Sequence, residues 1–329
     1  MILPSRPRRR VARRLTAAGI LLLGLAGCAT PQLQALLDAE SVAVPKRAEL
    51  EAVPFYAQDE YQCGPAALAM VLEAGGKAIQ PEVLRPQVFI PDRQGSLQVE
   101  MLAAARRNGF VAVELNPRLS DLLAEIAAGN PAVVLQNLAL DWYPVWHYAV
   151  AIGYDLNARQ IVLRSGTERR LEMPLATFER TWQRGGYWAM LALPPGRFPA
   201  SVGTAEYLSA VTRLEKAGPP ESALAAYQRA LEHWPDQFTA LIGAGNTAYR
   251  VGDFEAAERA FRRATLVFPR SAAAHNNLAQ TLADLDRYDE ALTEARLAVG
   301  LGGPLEDASI RTLDAIVKRT GRGEQEWNK

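Results

Sequence analysis

The sequence predicts an α+β domain followed by an all-α array of helical repeats. Between residues 51 and 193, helix signals come first and β-branched apolar runs mostly follow, an order typical of α+β domains. A Pro-rich stretch, 194-PPGRFPA-200, then indicates a linker over residues 194–203. The Ala-rich remainder repeats every 34 residues, which predicts a helical solenoid.

The helix signals of the first domain begin at 63-CGPAALAMVLEA-74. Proline stands near the first helical position there, and glycines follow the last one. Ser96 can cap a second helix at about 97–108. Ser120 can cap a third helix that ends before Gly129.

Three apolar segments of this domain are typical of strands. The run 131-PAVVLQNL-138 is rich in β-branched residues and predicts a buried strand. The stretch 147-HYAVAIGYDLNARQIVLRSG-166 predicts a hairpin that turns near Asp155–Asn157. A short helix around 175–184 and the strand 187-YWAMLAL-193 complete the predicted domain over 51–193.

Matching residues recur 34 positions apart after residue 203, which is the period of the tetratricopeptide repeat. Small alanines let two helices approach, an aromatic side chain fills the groove between them, and proline ends the second helix. The sequence therefore predicts three repeats over 204–303 and a capping helix and tail over 304–329, a generic bundle being the alternative. Such arrays bind peptides or proteins on a concave face. The matching sets are Pro235 and Pro269, Gly218 and Gly252, Tyr227 and Phe261, Ala223, Ala257 and Ala291, and Ala230, Ala264 and Ala298.

Charge is unevenly distributed along the 329 residues. Residues 1–27 contain six arginines and no acid, so the remainder has 30 basic against 36 acidic residues. A mildly acidic protein does not favour nucleic acid, which needs a basic surface. The sequence also lacks a glycine-rich phosphate loop, so no nucleotide cofactor is predicted.

The N-terminal segment resembles a targeting signal. Its basic region precedes 16-TAAGILLLGLAG-27, an apolar run too short to span a bilayer. The sequence 25-LAGC-28 resembles the lipobox of bacterial lipoproteins, which implies removal of residues 1–27, acylation of Cys28 and a lipidated tether over 28–50. Ala29 after the cysteine resembles lipoproteins of the outer membrane, on its periplasmic face. A plain secretory signal is the alternative, and the doubled arginines weakly resemble a twin-arginine signal.

The lipobox leaves Cys63 as a lone thiol, because the chain has only two cysteines. A free thiol in an exported protein needs an explanation, since that compartment favours disulfides. No cysteine or histidine pair has the spacing of metal ligands, so no metal is predicted. A helix N-terminus lowers the pKa of a thiol, and an imidazole can remove its proton. Cys63 begins a predicted helix and His147 begins a predicted strand, whereas His233 and His275 on the repeats indicate packing or surface roles.

The stretches 58-QDEYQCGPAALAMVL-72 and 147-HYAVAIGYD-155 resemble the papain-like cysteine peptidases that remove double-glycine leaders from bacteriocins. They are still more similar to the stand-alone relatives of those enzymes, and a lipobox with repeats resembles a lipoprotein subgroup. The resemblance covers about 50–193 and implies a papain-like fold with Cys63 as nucleophile and His147 as base. Gln58 would donate to the oxyanion, although it stands five positions before the cysteine instead of the usual six. A surface role for Gln58, with Gln62 as the donor, is the alternative.

The third catalytic residue departs from the family. An Asp or Asn is expected on the strand after the histidine, but the sequence there is 164-RSG-166. A hairpin centred near Leu156 puts Ser165 opposite His147, where its hydroxyl could accept the Nδ1 proton. Asp155 lies at the far end of the strand, and Glu168 is the other carboxylate within reach of a folded-back loop.

The sequence therefore favours a lipid-anchored cysteine peptidase whose repeats recruit a protein partner or substrate. The alternatives are an inactive peptidase fold that serves as a binding scaffold, and acyl transfer to an amine instead of water. Trp142, Tyr143 and Trp146 precede His147 and could line a substrate cleft or belong to the core.

Overall fold

The computed structural model describes residues 30–38, 44–57 and 62–320. Within them the helices are α1 (Pro31–Asp38), α2 (Cys63–Ala74), α3 (Pro81–Val88), α4 (Gln98–Arg107), α5 (Leu119–Ala127), α6 (Leu175–Arg184), α7 (Thr204–Ala217), α8 (Pro220–His233), α9 (Phe238–Val251), α10 (Phe254–Val267), α11 (Ala272–Asp284), α12 (Tyr288–Leu301) and α13 (Glu306–Arg319). The strands are β1 (Arg47–Glu49), β2 (Phe89–Ile90), β3 (Gly95–Ser96), β4 (Val111–Glu114), β5 (Ala132–Asn137), β6 (Trp146–Asp155), β7 (Gln160–Ser165), β8 (Glu168–Pro174) and β9 (Ala189–Leu193).

Seven of these strands form one antiparallel sheet. Its order is β4-β9-β5-β6-β7-β8, and β1 pairs with the far end of β6. Strands β2 and β3 form a separate small hairpin. Among the described helices, none is both long and apolar enough to cross a membrane.

The sheet separates two layers of core because side chains alternate along each strand. On β5, Val133 and Leu135 pack with α2, α3 and α4. The intervening Ala132 and Val134 pack in a second layer with α1, α5, α6 and the first repeat helix, α7. All six residues of β5 are therefore buried, as expected for an apolar strand in the middle of a sheet.

The described residues of the predicted 28–50 tether are packed on the fold. Helix α1 packs on the first domain, where Leu33 is buried in the second core layer. The Gln32 and Leu33 amides donate to the buried Glu179 carboxylate at 2.9 and 2.8 Å. Strand β1 extends the main sheet along β6. Both elements are held by partners more than a hundred residues away in sequence, which a local pattern does not reveal.

The predicted linker over 194–203 is also fixed in place. The buried Glu125 carboxylate accepts hydrogen bonds from the amides of Ala200 and Ser201 and from the Ser201 hydroxyl. Phe198 packs against His233 and Tyr207, with ring centroids 4.7 and 5.0 Å apart. The first domain and the first repeat thus share one continuous core.

The two predicted serine caps are wrong. Ser96 pairs with Phe89 in the β2–β3 hairpin, so Leu97 stands at the N-cap of α4 without a side-chain hydrogen bond. Ser120 lies inside the first turn of α5, whose N-cap is Arg118. Its hydroxyl donates to Asp121 at 3.1 Å.

The repeat helices pack as the 34-residue period predicts. Tyr227 and Phe261 are buried between helices, and the alanines of the repeat pattern are fully buried. Glycine is required where the rings lie closest, because a Cβ on Gly243 would stand 2.2 Å from the Tyr227 ring. Helix α13 covers the end of the stack through Leu313 and Ile316.

Candidate active site

Cys63 is the first residue of α2, with Gln62 at the N-cap. The nine residues after it, Gly64 through Leu72, are all buried. Helix α2 is therefore held firmly in the core, and its N-terminus presents the half-buried Cys63 beside strand β6. The thiol lies within hydrogen-bonding reach of the Tyr148 amide, one residue after His147.

Burial raises the pKa of the Cys63 thiol above its ordinary value. Backbone hydrogen bonds from Tyr148, Gly64 and Cys63 itself lower the pKa, but burial is the larger effect. The expected lowering of this pKa by the helix N-terminus is therefore outweighed. A raised pKa favours the neutral thiol, so attack by the sulfur needs a base that removes the proton.

His147 is the second residue of β6 and pairs across the ladder with Gln136 of β5. Its Nε2 atom lies 2.8 Å from the Ser165 hydroxyl oxygen. The nitrogen in this contact is Nε2, not the Nδ1 expected from the sequence, so Ser165 does not engage Nδ1. Burial lowers the pKa of His147, which favours a neutral imidazole able to accept a proton.

Ser165 reaches His147 through a register that differs from the predicted one. The ladder runs Val150↔Arg164 and Asp155↔Gln160, with a bulge between Ala151 and Gly153. Continuing this register places Ser165 opposite Ala149, two residues from His147. A shift of two residues preserves the face of the sheet, so the side chains still meet diagonally.

The two alternative carboxylates, Asp155 and Glu168, do not hydrogen-bond to His147. Asp155 accepts hydrogen bonds from the Asn157 and Ala158 amides, both at 2.9 Å, and so stabilises the hairpin turn. Glu168 begins β8, pairs through its backbone with Ser165 and is exposed. Among the described residues, no carboxylate has a hydrogen bond to the imidazole.

Two residues assigned from the sequence, Gln58 and Cys28, lie outside the described residues. Gln62 is described, but its side chain does not cap α2. The oxyanion role of Gln58 and the acylation of Cys28 therefore remain predictions.

Arg164 is a buried residue of the site that the sequence analysis missed. Its guanidinium donates to the backbone oxygens of Val53, at 2.9 Å, and Glu51, at 3.0 Å, and also to that of Arg169. Arg164 thus fastens the segment that leads toward Cys63 to the strand that carries Ser165. The only signal in the sequence was its position beside Ser165.

Cys63 and His147 share an open cleft of about 1050 Å³. One wall is formed by residues 93–98 of the β2–β3 hairpin, and the other by residues 144–148 and 184–186. Among the described residues, its lining contains two arginines, Arg93 and Arg184, and no carboxylate. The cleft is large enough to admit an extended peptide.

Of the three aromatic residues before His147, one lines the cleft and two are exposed to solvent outside it. Trp146 lines the cleft wall together with Pro144 and Val145. Trp142 and Tyr143 lie outside that lining, with 79% and 68% of their surface exposed. The prediction that all three belong to the cleft or to the core is therefore correct for Trp146 alone.

Two sequence families match this chain. Residues 50–190 match the Peptidase_C39 like family. Residues 208–250 and 242–304 match the tetratricopeptide repeat. These matches confirm the resemblance stated from the sequence and the predicted fold class, a C39-like peptidase fold followed by helical repeats.

Solved structures are similar to each part of the chain. A protein described as a C39-like peptidase from Bacillus anthracis is 20% identical, with a TM-score of 0.38, over 45% of this chain and 97% of its own. MamA MSR-1 is 21% identical, with a TM-score of 0.34, over 40% of this chain and 75% of its own. MamA AMB-1 is 18% identical, with a TM-score of 0.30, over 37% and 76%. No curated protein matches the chain.

The described residues contain no group of three or more His, Cys, Asp or Glu side chains placed to hold a metal ion. His275 instead lies 2.6 Å from Glu294 and 3.1 Å from the Pro269 carbonyl, and His233 stacks on Phe198. Both histidines therefore have packing roles within the repeats, as the sequence indicated.

Proposed function

We propose that the protein is a cysteine peptidase with Cys63 as nucleophile and His147 as general base. The observation that carries this proposal is the cleft itself. It combines a thiol at the N-terminus of a buried helix with an imidazole whose Nε2 is held by Ser165. The match of residues 50–190 to the Peptidase_C39 like family supports it.

The chemistry starts from a neutral pair. As the Cys63 sulfur attacks the peptide carbonyl carbon, His147 accepts the thiol proton at Nδ1. The resulting imidazolium donates that proton to the departing amine, which leaves an acyl group on Cys63. Water, deprotonated by His147, then hydrolyses the thioester and restores the thiol.

Ser165 acts as a positioning residue in this mechanism. Its hydroxyl oxygen accepts a hydrogen bond from Nε2–H, a tautomer in which Nδ1 is unprotonated and free to take the thiol proton. The hydroxyl carries no charge and stabilises an imidazolium less than a carboxylate does. Gln58 and the Cys63 amide are proposed as the donors to the oxyanion.

A binding scaffold without activity is the second candidate. Two observations favour it: the thiol pKa is raised by burial, and His147 has no carboxylate partner among the described residues. Both observations imply a less reactive Cys63–His147 pair. Both side chains nevertheless line the same cleft, so we favour the enzyme.

We further propose that Cys28 is acylated and anchors the protein to the periplasmic face of the outer membrane. The lipobox-like 25-LAGC-28 and Ala29 support this placement. The repeats are proposed to recruit a protein partner or substrate, in keeping with their match to tetratricopeptide repeats.

Activity is tested with a mixed peptide library whose cleavage products are identified by mass spectrometry. We expect cleavage by the protein and none by Cys63→Ala or His147→Ala. A matched control is His233→Ala, which removes an imidazole from the repeats and is expected to leave cleavage unchanged. Equal cleavage by Cys63→Ala would refute the proposed mechanism, and intact peptides throughout would favour the scaffold.

A further inference from the structure

The loop between β5 and β6, taken together with the first residue of β6 as residues 138–146, carries an unusual concentration of exposed apolar side chains. Of the eight large hydrophobic residues that are exposed in the described part of residues 30–193, six lie in this loop. They are Leu138, Leu140, Trp142, Tyr143, Val145 and Trp146. The loop contains one charged residue, Asp141.

The loop is held in this exposed form by its own hydrogen bonds. The Asn137 side-chain oxygen accepts from the amides of Ala139 and Val145 at 3.1 and 3.0 Å. The Leu138 amide donates to the Val145 carbonyl at 2.9 Å, and the Tyr143 amide donates to the Leu140 carbonyl at 3.0 Å. These contacts fix a turn that places Trp142 at the tip. The exposure of its apolar side chains is therefore a property of the folded loop.

A chain of contacts links the base of the loop, the cleft lining and the start of α1. Arg184 Nε donates to the Asn137 carbonyl at 3.2 Å, which fixes the loop base beside the end of α6. Gly185 and Gly186 follow directly and line the cleft. The next residue, Tyr187, has its hydroxyl within hydrogen-bonding reach of the Gln32 side chain of α1.

The position of Gln32 limits how far a lipid anchor can be from this rim. Cys28 precedes Gln32 by four residues, which span at most about 14 Å of chain. If Cys28 is acylated, as the proposed function has it, the rim of the cleft lies close to the bilayer surface. Tryptophan and tyrosine are the side chains that favour the headgroup region, because their rings are apolar and their N–H or O–H groups can hydrogen-bond with water.

From this placement we propose that the 138–146 loop docks into the headgroup region of the lipid bilayer and turns the cleft toward the membrane surface. This inference rests on the proposed acylation of Cys28. Its consequence is a substrate class: peptide segments that lie at the membrane surface. A soluble substrate with apolar residues and a second copy of the chain are the competing occupants of the loop.

The proposal is tested with full-length protein in phosphatidylethanolamine–phosphatidylglycerol vesicles made with or without brominated acyl chains. Bromine quenches tryptophan fluorescence only at close range. We expect the Trp142→Phe variant to lose a large part of the brominated-lipid quenching, the remainder coming from Trp146 of the same segment. The matched control, Trp234→Phe, removes a tryptophan that packs on Phe198 in the repeats and is expected to keep the quenching. The mass of the N-terminal peptide reports acylation of Cys28 in the same samples.

The outcomes separate the proposal from the proposed function on which it rests. Acylated, vesicle-bound protein with equal quenching in both variants would overturn loop docking and leave the anchor intact. Protein without acyl mass and without vesicle binding would overturn the anchor and loop docking together. Unquenched Trp142, with slower cleavage of soluble peptides by Trp142→Ala, would identify the loop as a substrate surface instead. Unquenched Trp142 buried in a dimer would identify a second copy as its occupant.

Discussion

The hydrogen bond between His147 and Ser165 gives a quantitative prediction about catalysis. In the proposed mechanism, the hydroxyl accepts a hydrogen bond from a neutral imidazole at rest and from an imidazolium once the thiol proton has moved. A neutral hydrogen bond contributes about 1 kcal/mol net, and one to a charged group about 1.5–3 kcal/mol. The difference, about 1 kcal/mol, stabilises the transition state. We expect Ser165→Ala to lower kcat/KM about fivefold.

Ser165→Asp tests the same contact by strengthening its interaction with the imidazolium, whereas Ser165→Ala removes it. A carboxylate at this position favours the imidazolium and raises the pKa of His147, which burial otherwise keeps below 6.5. Activity requires a neutral imidazole, so it is lost as the pH falls through this pKa. The acid limb of kcat/KM should therefore lie below pH 6.5 in the unaltered protein and move to higher pH in Ser165→Asp.

The assay is a pH profile of kcat/KM for one cleaved peptide. Ser165→Thr keeps the hydroxyl and is expected to keep most of the activity. Thermal unfolding of each variant controls for loss of fold. An acid limb that stays in place in Ser165→Asp, together with full activity in Ser165→Ala, would refute the positioning role.

Three further predictions concern stability and are measured by urea unfolding. Gly243→Ala brings a methyl group 2.2 Å from the Tyr227 ring and should destabilise the repeats by about 1–3 kcal/mol. The control Gly300→Ala meets no atom within 4 Å and should stabilise helix α12 by about 0.5–1 kcal/mol, so equal effects would contradict the packing argument. Glu179→Ala removes the acceptor for two amides of α1 and should destabilise the folded protein by about 1–2 kcal/mol. Proteolysis near α1 should also become faster, and an unchanged digestion pattern would contradict the docking of α1. Glu125→Ala should lower the free energy of unfolding by a similar amount and speed hydrogen exchange at residues 198–201, because the amides of Ala200 and Ser201 lose their acceptor. An unchanged exchange rate at these residues would refute this role of Glu125.

Local patterns predicted the repeats and the hairpin because the residues that specify them are close in sequence. Tyr227 and Phe261 recur at the repeat period and fill equivalent grooves, so the packing follows from the spacing. The hairpin prediction missed the bulge between Ala151 and Gly153 and was two residues out of register. Ser165 still reached His147, because an even shift preserves the face of a strand.

Contacts between distant parts of the chain were beyond a local pattern. Glu179 holds α1 from 146 residues away, and Arg164 holds Val53 from 111 residues away. The pKa of Cys63 was predicted in the wrong direction for a related reason. A helix N-terminus can be recognised from sequence, whereas the burial that outweighs it depends on the assembled core.

The most direct test of the Cys63–His147 pair is covalent labelling by a peptidyl epoxide, followed by intact mass. In a Cys28→Ser variant, Cys63 is the only cysteine of the chain. We expect a single adduct on Cys63 of the folded protein, and much slower adduct formation both after unfolding and when His147→Ala is added to this variant. Labelling at the same slow rate in the folded, unfolded and His147→Ala proteins would contradict it and leave Cys63 as a structural thiol.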